Sequence, residues 1–314
     1  MKDNEDGISI CICTYRRPSV IATIKSVATQ RVPGAANTHT IVIDNDTIPS
    51  SKDIVETYCQ SQNLELTFIH APAQNISVAR NAALAATRTR WLAFIDDDER
   101  ASSTWLSALY SSRFGAAAVF GPVQAIYPSN APKWLSQADL LSSTPFRLRN
   151  GSIITGYSGN VLIDMEFVHR HKLRFDKKFG KLGGEDTIFF NAMHRRGGHL
   201  AYAPGAIAYE EVSNIRTTLP WVIARRYRAG QTYAMLQQRY NVRKYRQIPL
   251  TSPIKIAFCA GIASLLAIRP SRAMWWLMRG VFHWGMLTYR LSGNVYQEYW
   301  PSVVQEDEVP RPNS

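Results

Sequence analysis

Three consecutive carboxylates at the end of a short apolar run are the sharpest chemical feature of this sequence. They are Asp96, Asp97 and Asp98, in the segment FIDDDE. Adjacent carboxylates repel one another, and a divalent cation with hard oxygen ligands relieves that repulsion. Because side chains alternate along an extended backbone, Asp96 and Asp98 can face one ligand together. The pattern predicts Mg2+ or Mn2+ bridging phosphate oxygens, with an ordinary acidic turn as the alternative.

A second acidic pair, Glu185 and Asp186, opens a helical pattern in the segment GGEDTIFFNAMHRRG. Negative charge is favourable at a helix N-terminus, so an ordinary acidic first turn is one interpretation. The other interpretation is a general base, because a carboxylate beside a sugar hydroxyl can take its proton while the oxygen attacks a donor. The preceding glycines let the backbone approach a ligand closely.

Two weaker signals lie nearer the N-terminus. Asp44 ends an apolar run, where an acidic side chain can hydrogen-bond a ribose or base, although such turns often carry Asp for their own geometry. Arg80 lies on an alanine-rich helical pattern with Ser77 as its expected cap, and its planar guanidinium suits a diphosphate. An exposed helix arginine is the alternative interpretation of Arg80.

Alternating strand and helix patterns must position these residues. The strand patterns cover residues 8–13, 40–43, 64–70 and 91–95. The helical patterns between them cover residues 18–30, 52–62 and 77–87. This alternation predicts an α/β fold with a mostly parallel sheet and helices on both faces. Ligands of such sheets lie beyond the carboxyl ends of the strands, which is where Asp44 and Asp96 both fall.

The composition changes after residue 214, where helical patterns rich in basic and aromatic residues begin. Apolar stretches at 256–268 and 273–291 are flanked by Lys and Arg, which suits the interface of a membrane with anionic lipid. A helical subdomain packed on the rest of the protein is the alternative. No apolar run reaches the roughly 18–20 residues of a membrane-spanning helix, so we expect no span.

The overall composition indicates an anionic partner but does not identify which class of anion it is. The 314 residues carry a formal net charge of +12, which favours nucleic acid, acidic lipid or a phosphorylated small molecule. Hydrophobic residues make up 46% and charged residues 19%, as in a globular protein. The four cysteines lack zinc or disulfide spacing, and the acidic first residues do not form a signal peptide. We therefore expect reduced thiols and a cytoplasmic location.

Four segments in this order resemble family 2 glycosyltransferases with the GT-A fold. They are ISICICTYRRP, IVIDND, ISVARNAALAATRTRWLAFIDDDE and GGEDTIFFNAMHRRGG. The later segment RRYRAGQTY resembles bacterial exopolysaccharide glucosyltransferases of the succinoglycan type. The resemblance implies a nucleotide-sugar-binding half at 1–100 and an acceptor-side half at 101–215. The composition indicates a C-terminal helical basic and aromatic region at 216–314, ending in a loose tail at 301–314.

The resemblance also implies a role for each matching residue. Donor binding falls to Thr14, Tyr15, Arg17, Asp44, Arg80, Asp96 and Asp97. Asp98 would be the principal ligand of the divalent cation, with Asp96 beside it. Asp186 would be the catalytic base with Glu185 in support, and the acceptor side would include Gly159, Asn160 and Arg226. Tyr209-Glu210-Glu211 stands where many relatives carry a histidine, which leaves a third metal ligand open.

The resemblance implies an inverting, metal-dependent transferase, and the basic and aromatic C-terminal region favours a position at the inner face of the cytoplasmic membrane. It would move a hexose, with glucose from UDP-glucose preferred, onto a lipid-linked glycan. The processive QxxRW motif is absent, which favours one sugar per encounter. A metal-dependent nucleotidyltransferase is an alternative, but no GxxxxGK[ST] phosphate loop occurs. A nucleic-acid binder is another, yet carboxylates oppose phosphate binding, so we expect no nucleic-acid partner.

Overall fold

Strands and helices alternate along the described part of the chain, residues 4–32, 37–148 and 150–295 of a computed structural model. The strands are β1 (Asn4–Thr14), β2 (Thr38–Asp44), β3 (Leu66–His70), β4 (Thr89–Asp96), β5 (Glu99–Ala101), β6 (Ala118–Phe120), β7 (Val123–Ile126), β8 (Asn160–Asp164), β9 (Leu200–Tyr202) and β10 (Ala208–Glu211). The first seven helices are α1 (Val20–Ala28), α2 (Lys52–Gln62), α3 (Ile76–Ala86), α4 (Trp105–Ser111), α5 (Lys133–Ala138), α6 (Met165–Arg170) and α7 (Glu185–Arg195). A 3-10 helix, η1 (Asn214–Thr217), then precedes α8 (Leu219–Tyr240), α9 (Val242–Leu265) and α10 (Pro270–Ser292).

A seven-stranded sheet in the order β3-β2-β1-β4-β8-β6-β9 forms the centre of the fold. Strands β1 to β4 are mutually parallel, and β8 runs antiparallel to both β4 and β6. Along β1, Ile8, Ile10 and Ile12 enter one apolar core while Cys11 enters the other. Both faces of β1 are therefore buried, which explains its unbroken apolar run. The predicted α/β fold is confirmed, and a single sheet crosses the expected boundary at residue 100.

A second sheet of short strands, in the order β5-β10-β7, lies beside the acidic segment and has no counterpart in the sequence prediction. Strands β10 and β5 are antiparallel, with Glu210 opposite Glu99. Strands of three or four residues carry too little alternation to be recognised from the sequence. The pairing brings Glu210 to the acidic triplet.

The N-terminal cap of α3 differs from the prediction. The helix begins at Ile76, and Asn75 rather than Ser77 caps it, because the Asn75 Oδ1 atom accepts a hydrogen bond from the Ser77 backbone N–H at 3.0 Å. The Ser77 hydroxyl donates instead to the Asp176 carbonyl at 3.0 Å. Ser77 therefore joins α3 to the loop that precedes α7.

The C-terminal helices pack on the rest of the protein, as the subdomain interpretation expects. Ile188 of α7 shares one apolar cluster with Ala234, Met235 and Met286. Helices α8 and α10 cross at two glycines, since a Cβ on Gly230 or Gly285 would lie 2.0 Å from a carbonyl oxygen of the other helix. The helix carrying Glu185 and Asp186 is thus supported from the C-terminal region.

Helix α9 is longer than the apolar run at 256–268 suggested. It continues N-terminally through Pro253 and Pro249. Among the described residues, α9 is the one helix that is long and apolar enough to cross a membrane by length and composition. Its most apolar window has a mean hydropathy of 1.5 and is only 22% buried. The expectation that no segment meets the length and composition test was therefore wrong. The tail expected at 301–314 lies outside the described residues, and the two boundaries between the three predicted regions stay predictions.

Candidate active site

The predicted donor-binding residues meet at the carboxyl ends of three adjacent parallel strands. Thr14 at the end of β1 pairs in register with Asp44 on β2, and Cys13 pairs with Asp96 on β4. The chain order reverses here, because β2 and β4 lie on opposite sides of β1. Such a switch point opens a crevice in which open α/β sheets bind ligands.

A dense group of carboxylates lies at the end of β4. Glu99 is buried, and burial followed by the charges of Asp96, Asp98 and Glu210 raises its pKa well above the ordinary value. Arg17 partly offsets the negative charge, with its Nη1 atom 2.6 Å from Asp98 Oδ2. Crowded carboxylates of this kind favour either a proton or a cation.

Asp97 turns inward and holds the loop after β1. Its Oδ2 atom accepts hydrogen bonds from Thr14 Oγ1 at 2.8 Å and from the Tyr15 backbone N–H at 3.4 Å. Arg17 Nη1 lies 3.0 Å from the other oxygen. Burial raises the pKa of Asp97 to about 6, against the opposing effect of Arg17. These contacts give Asp97 a positioning role, and direct contact with a donor stays a prediction.

Asp44 likewise organises its own loop. It is fully buried and accepts hydrogen bonds from the backbone N–H groups of Asp46 at 2.9 Å and Ser51 at 2.7 Å. Asp46 in turn pairs with Arg16, the Nε–Oδ2 distance being 2.6 Å. Arg16 has a positive φ of 53°, which a non-glycine residue rarely adopts. The ion pair therefore fixes the strained turn that carries Tyr15 and Arg17, and sequence reasoning gave it no role.

Arg80 is buried between the two acidic segments rather than exposed on its helix. Its Nη1 atom donates a hydrogen bond to Glu185 Oε1, and its Nη2 atom lies 3.9 Å from Asp96 Oδ1. Burial alone would lower the pKa of Arg80, but Glu185, Asp96 and Asp186 hold it above its ordinary value. The structure thus joins the end of β4 to the start of α7 through one guanidinium.

We expect Arg80→Ala to lower the free energy of unfolding by about 3–5 kcal/mol, because it leaves Glu185 buried without its counter-charge. Urea denaturation measures the change. Arg90→Ala is the matched control, since Arg90 is 44% exposed and pairs with Asp164 and Glu166 at the surface. Surface pairs contribute less than about 1 kcal/mol. Equal effects of the two substitutions would contradict a buried, structurally essential pair.

Of the two carboxylates Glu185 and Asp186, only Glu185 is bound to Arg80, and Asp186 remains available to a substrate. Its Oδ1 atom accepts from the Thr187 backbone N–H at 2.6 Å, and it is only partly buried. Gly183 and Gly184 precede the helix with φ values of 81° and 88°, which glycine adopts without strain. A Cβ on Gly184 would lie 2.4 Å from Thr232 Cγ2, so the glycine also lets α8 approach. The base assignment stays a prediction.

The three predicted acceptor-side residues are placed differently from one another. Gly159 lies against the acidic cluster, where a Cβ would come 2.8 Å from Asp96 Oδ2. Asn160 is fully buried and accepts from Trp105 Nε1 while donating to the carbonyls of Pro122 and Ala206. Arg226 donates to the Leu140 carbonyl at 2.7 Å. Asn160 and Arg226 therefore stabilise the framework, and contact with an acceptor stays a prediction.

The residues present fit a divalent cation that arrives with its ligand. Among the described residues no group of three or more His, Cys, Asp or Glu side chains forms a complete metal site. Asp96 and Asp98 supply two hard carboxylates, and Gly159 keeps the space beside Asp96 free of a side chain. Mg2+ is commonly held by one or two carboxylates together with substrate phosphates. The donor set therefore suits Mg2+ or Mn2+ bound jointly with a diphosphate.

A mixed sheet with carboxylates at its switch point, joined through Arg80 to the acidic first turn of α7, fits a transferase of the GT-A fold. Residues 9–172 match the sequence profile of Glycosyl transferase family 2, and the chain belongs to this family. It is 38% identical over 296 residues to the succinoglycan biosynthesis protein ExoM of Rhizobium meliloti (strain 1021), covering 93% of this chain and 95% of that protein.

Two solved structures share the fold at low sequence identity. The mannosyltransferase PcManGT from Pyrobaculum calidifontis, in complex with GDP-Man and Mn2+, has a TM-score of 0.62 at 14% identity over 91% of this chain and 87% of that one. S. aureus TarS 1-349 in complex with UDP has a TM-score of 0.50 at 16% identity over 92% of each chain. The predicted family and fold are thereby confirmed.

Proposed function

We propose that this protein is an inverting, metal-dependent hexosyltransferase that moves glucose from UDP-glucose onto a lipid-linked oligosaccharide in exopolysaccharide synthesis. The observation that carries the proposal is the buried guanidinium of Arg80, which binds Glu185 next to Asp186 and lies 3.9 Å from Asp96. The similarity to ExoM supports a role in polysaccharide synthesis. The ligands of PcManGT and TarS support a nucleotide donor with a divalent cation.

In the proposed reaction Asp186 takes the proton of an acceptor hydroxyl as the oxygen attacks the anomeric carbon. The bond between that carbon and the diphosphate oxygen breaks, and the electron pair leaves with UDP. Attack from the opposite side converts an α-linked donor into a β-glycoside. A cation held by Asp98 and Asp96 would stabilise the charge on the departing diphosphate. Arg80 keeps Glu185 and the start of α7 in place throughout.

A donor panel tests the chemistry. Purified protein is incubated with a lipid-linked glycan extract and each UDP- or GDP-sugar, with Mn2+ or with EDTA, and free UDP or GDP is measured. We expect UDP release from UDP-glucose in Mn2+ and none in EDTA. Release of the sugar 1-phosphate in place of UDP would instead support the nucleotidyltransferase alternative, because that reaction breaks the diphosphate bridge and transfers UMP. Release of GDP alone would overturn the choice of donor.

The proposed position of the enzyme is the inner surface of the cytoplasmic membrane, held there by the C-terminal helices. Helix α9 exposes apolar side chains at one helical spacing, and they are Leu250, Ile254, Phe258 and Leu265. Helix α10 does the same with Leu277, Trp284 and Leu291. Residues at these intervals lie on one side of a helix. Apolar stripes flanked by Lys255, Arg269 and Arg272 suit the boundary of an anionic bilayer.

Vesicle sedimentation measures this attachment. We expect the full chain to pellet with anionic vesicles at low salt, and Leu250→Gln together with Phe258→Gln to reduce the bound fraction at least about 10-fold, because each removes apolar surface from the interface. Phe114→Gln is the matched control, as Phe114 is 77% exposed but lies beside α4. A full chain that stays in the supernatant would leave only the packed-subdomain interpretation.

A further inference from the structure

Arg216 reaches from η1 back into the acidic cluster. Its Nη1 atom lies 2.6 Å from Glu210 Oε1 and 3.8 Å from Asp98 Oδ2. Arg17 Nη1 approaches the same Asp98 oxygen at 2.6 Å. The carboxylate expected to hold the cation therefore already faces two guanidinium groups.

The position of Arg216 leaves part of its hydrogen-bonding capacity unused. The side chain is 18% exposed, and its Nε atom is buried without a hydrogen-bond partner in the part of the chain that the structure describes. The guanidinium carbon lies 5.1 Å from the centre of the Trp221 ring on α8. A buried donor without an acceptor is unfavourable, so this arrangement is one that a further acceptor would stabilise.

A diphosphate bound through a cation at Asp98 would supply such an acceptor. A cation binds a carboxylate oxygen and a phosphate oxygen at about 2.1 Å each, so a phosphate oxygen would come within roughly 4 Å of Asp98 Oδ2. Arg216 Nη1 lies at a similar distance, 3.8 Å, from Asp98 Oδ2. A cation repels the guanidinium of Arg216, whereas a diphosphate attracts the cation and the guanidinium. The planar guanidinium also matches the geometry of a phosphate group.

We propose that Arg216 is a donor-binding residue that exchanges partners. In the free enzyme it serves as an internal counter-ion for Asp98 and Glu210, and it transfers to the diphosphate when the cation-bound donor arrives. The inference rests on the proposed use of a nucleotide-sugar donor with a divalent cation. Arg216 thereby opposes binding of the bare cation and favours binding of the cation together with the nucleotide.

The exchange is tested by measuring the affinities for Mn2+ and for UDP, which the loss of Arg216 should change in opposite directions. Mn2+ binding without nucleotide is measured by electron paramagnetic resonance, and UDP binding in saturating Mn2+ by calorimetry. We expect Arg216→Ala to bind Mn2+ alone about 5-fold more tightly, since a competing positive charge is gone. The same variant should bind UDP at least about 10-fold more weakly, since a charged contact to the diphosphate is lost. Arg216→Lys keeps the charge and should give an intermediate UDP affinity.

Arg100→Ala is the matched control. Arg100 lies on β5 next to Glu99, and it forms an exposed ion pair with Glu211 of β10 at 2.6 Å. The substitution should change neither affinity. A parallel loss of both affinities in the Arg216 variants would show a structural brace and overturn the proposal, as would unchanged UDP affinity. If Arg216→Ala does not fold, Arg216→Gln, which also removes the charge, decides by the same opposite shifts. Wild-type protein that binds Mn2+ but no UDP would overturn the proposed function instead.

Discussion

Asp98→Ala is expected to lower the affinity for UDP in the presence of Mn2+ by about 100-fold. Metal ions contribute several kcal/mol to holding charged phosphate groups, and each tenfold change in affinity corresponds to about 1.4 kcal/mol. Asp98 offers a partly exposed carboxylate just beyond the end of β4, and a cation would replace Arg17 and Arg216 as its counter-charge. Calorimetric titration of UDP with Mn2+ and again with EDTA measures the effect.

Glu211→Ala is the control for general loss of negative charge near the site. Glu211 lies on β10 next to Glu210, but its side chain is 68% exposed and pairs with Arg100. Its loss should leave UDP affinity unchanged in both titrations. In EDTA, wild type and Asp98→Ala should bind UDP equally weakly, because the cation no longer contributes. An Asp98→Ala protein with wild-type affinity in Mn2+ would assign the cation to other residues.

The strand ends were predictable from the sequence because local patterns determine them. Short apolar runs fixed β1, β2 and β4, and parallel strands must end at one edge of their sheet. Asp44 and Asp96 were therefore expected at the carboxyl ends of their strands, and the register places them there. The pattern of apolar runs does not determine where each side chain at a strand end points. Asp97 and Asp44 proved to be engaged with backbone N–H groups and neighbouring side chains inside the protein.

The contacts that sequence reasoning missed join distant parts of the chain. Arg80 has an ordinary helical context, and its partner Glu185 lies 105 residues further on. Glu210 reaches the triplet only through the small sheet, whose strands are too short to show a period. Arg216 stands in a segment without any motif, so its only signal was charge. A buried charge can be inferred from a sequence only when the counter-charge is recognised as well.

The Arg80 bridge also separates the roles of Glu185 and Asp186. Glu185 is buried, and burial followed by the charge of Asp186 raises its pKa, while the guanidinium of Arg80 opposes this effect. A carboxylate bound to arginine in this way is a poor acceptor for a substrate proton, because accepting one would break the ion pair. Asp186 makes its internal hydrogen bonds with Thr187 through one oxygen only. The second oxygen of Asp186 is therefore the atom that we assign to the acceptor hydroxyl.

Asp186→Asn should then reduce turnover by about 100-fold or more while leaving UDP affinity within about twofold of wild type. General base catalysis commonly contributes a factor of about 100 to 10,000, and the amide keeps the shape of the side chain without its ability to take a proton. Steady-state rates of UDP release with acceptor, combined with calorimetry in Mn2+, separate the two quantities. Thr187→Val is the control, since it removes the 3.2 Å hydroxyl contact to Asp186 and keeps the carboxylate. A variant that keeps its turnover but loses UDP affinity would make Asp186 a donor-binding residue, and the proton would then have to pass to another group of the crevice.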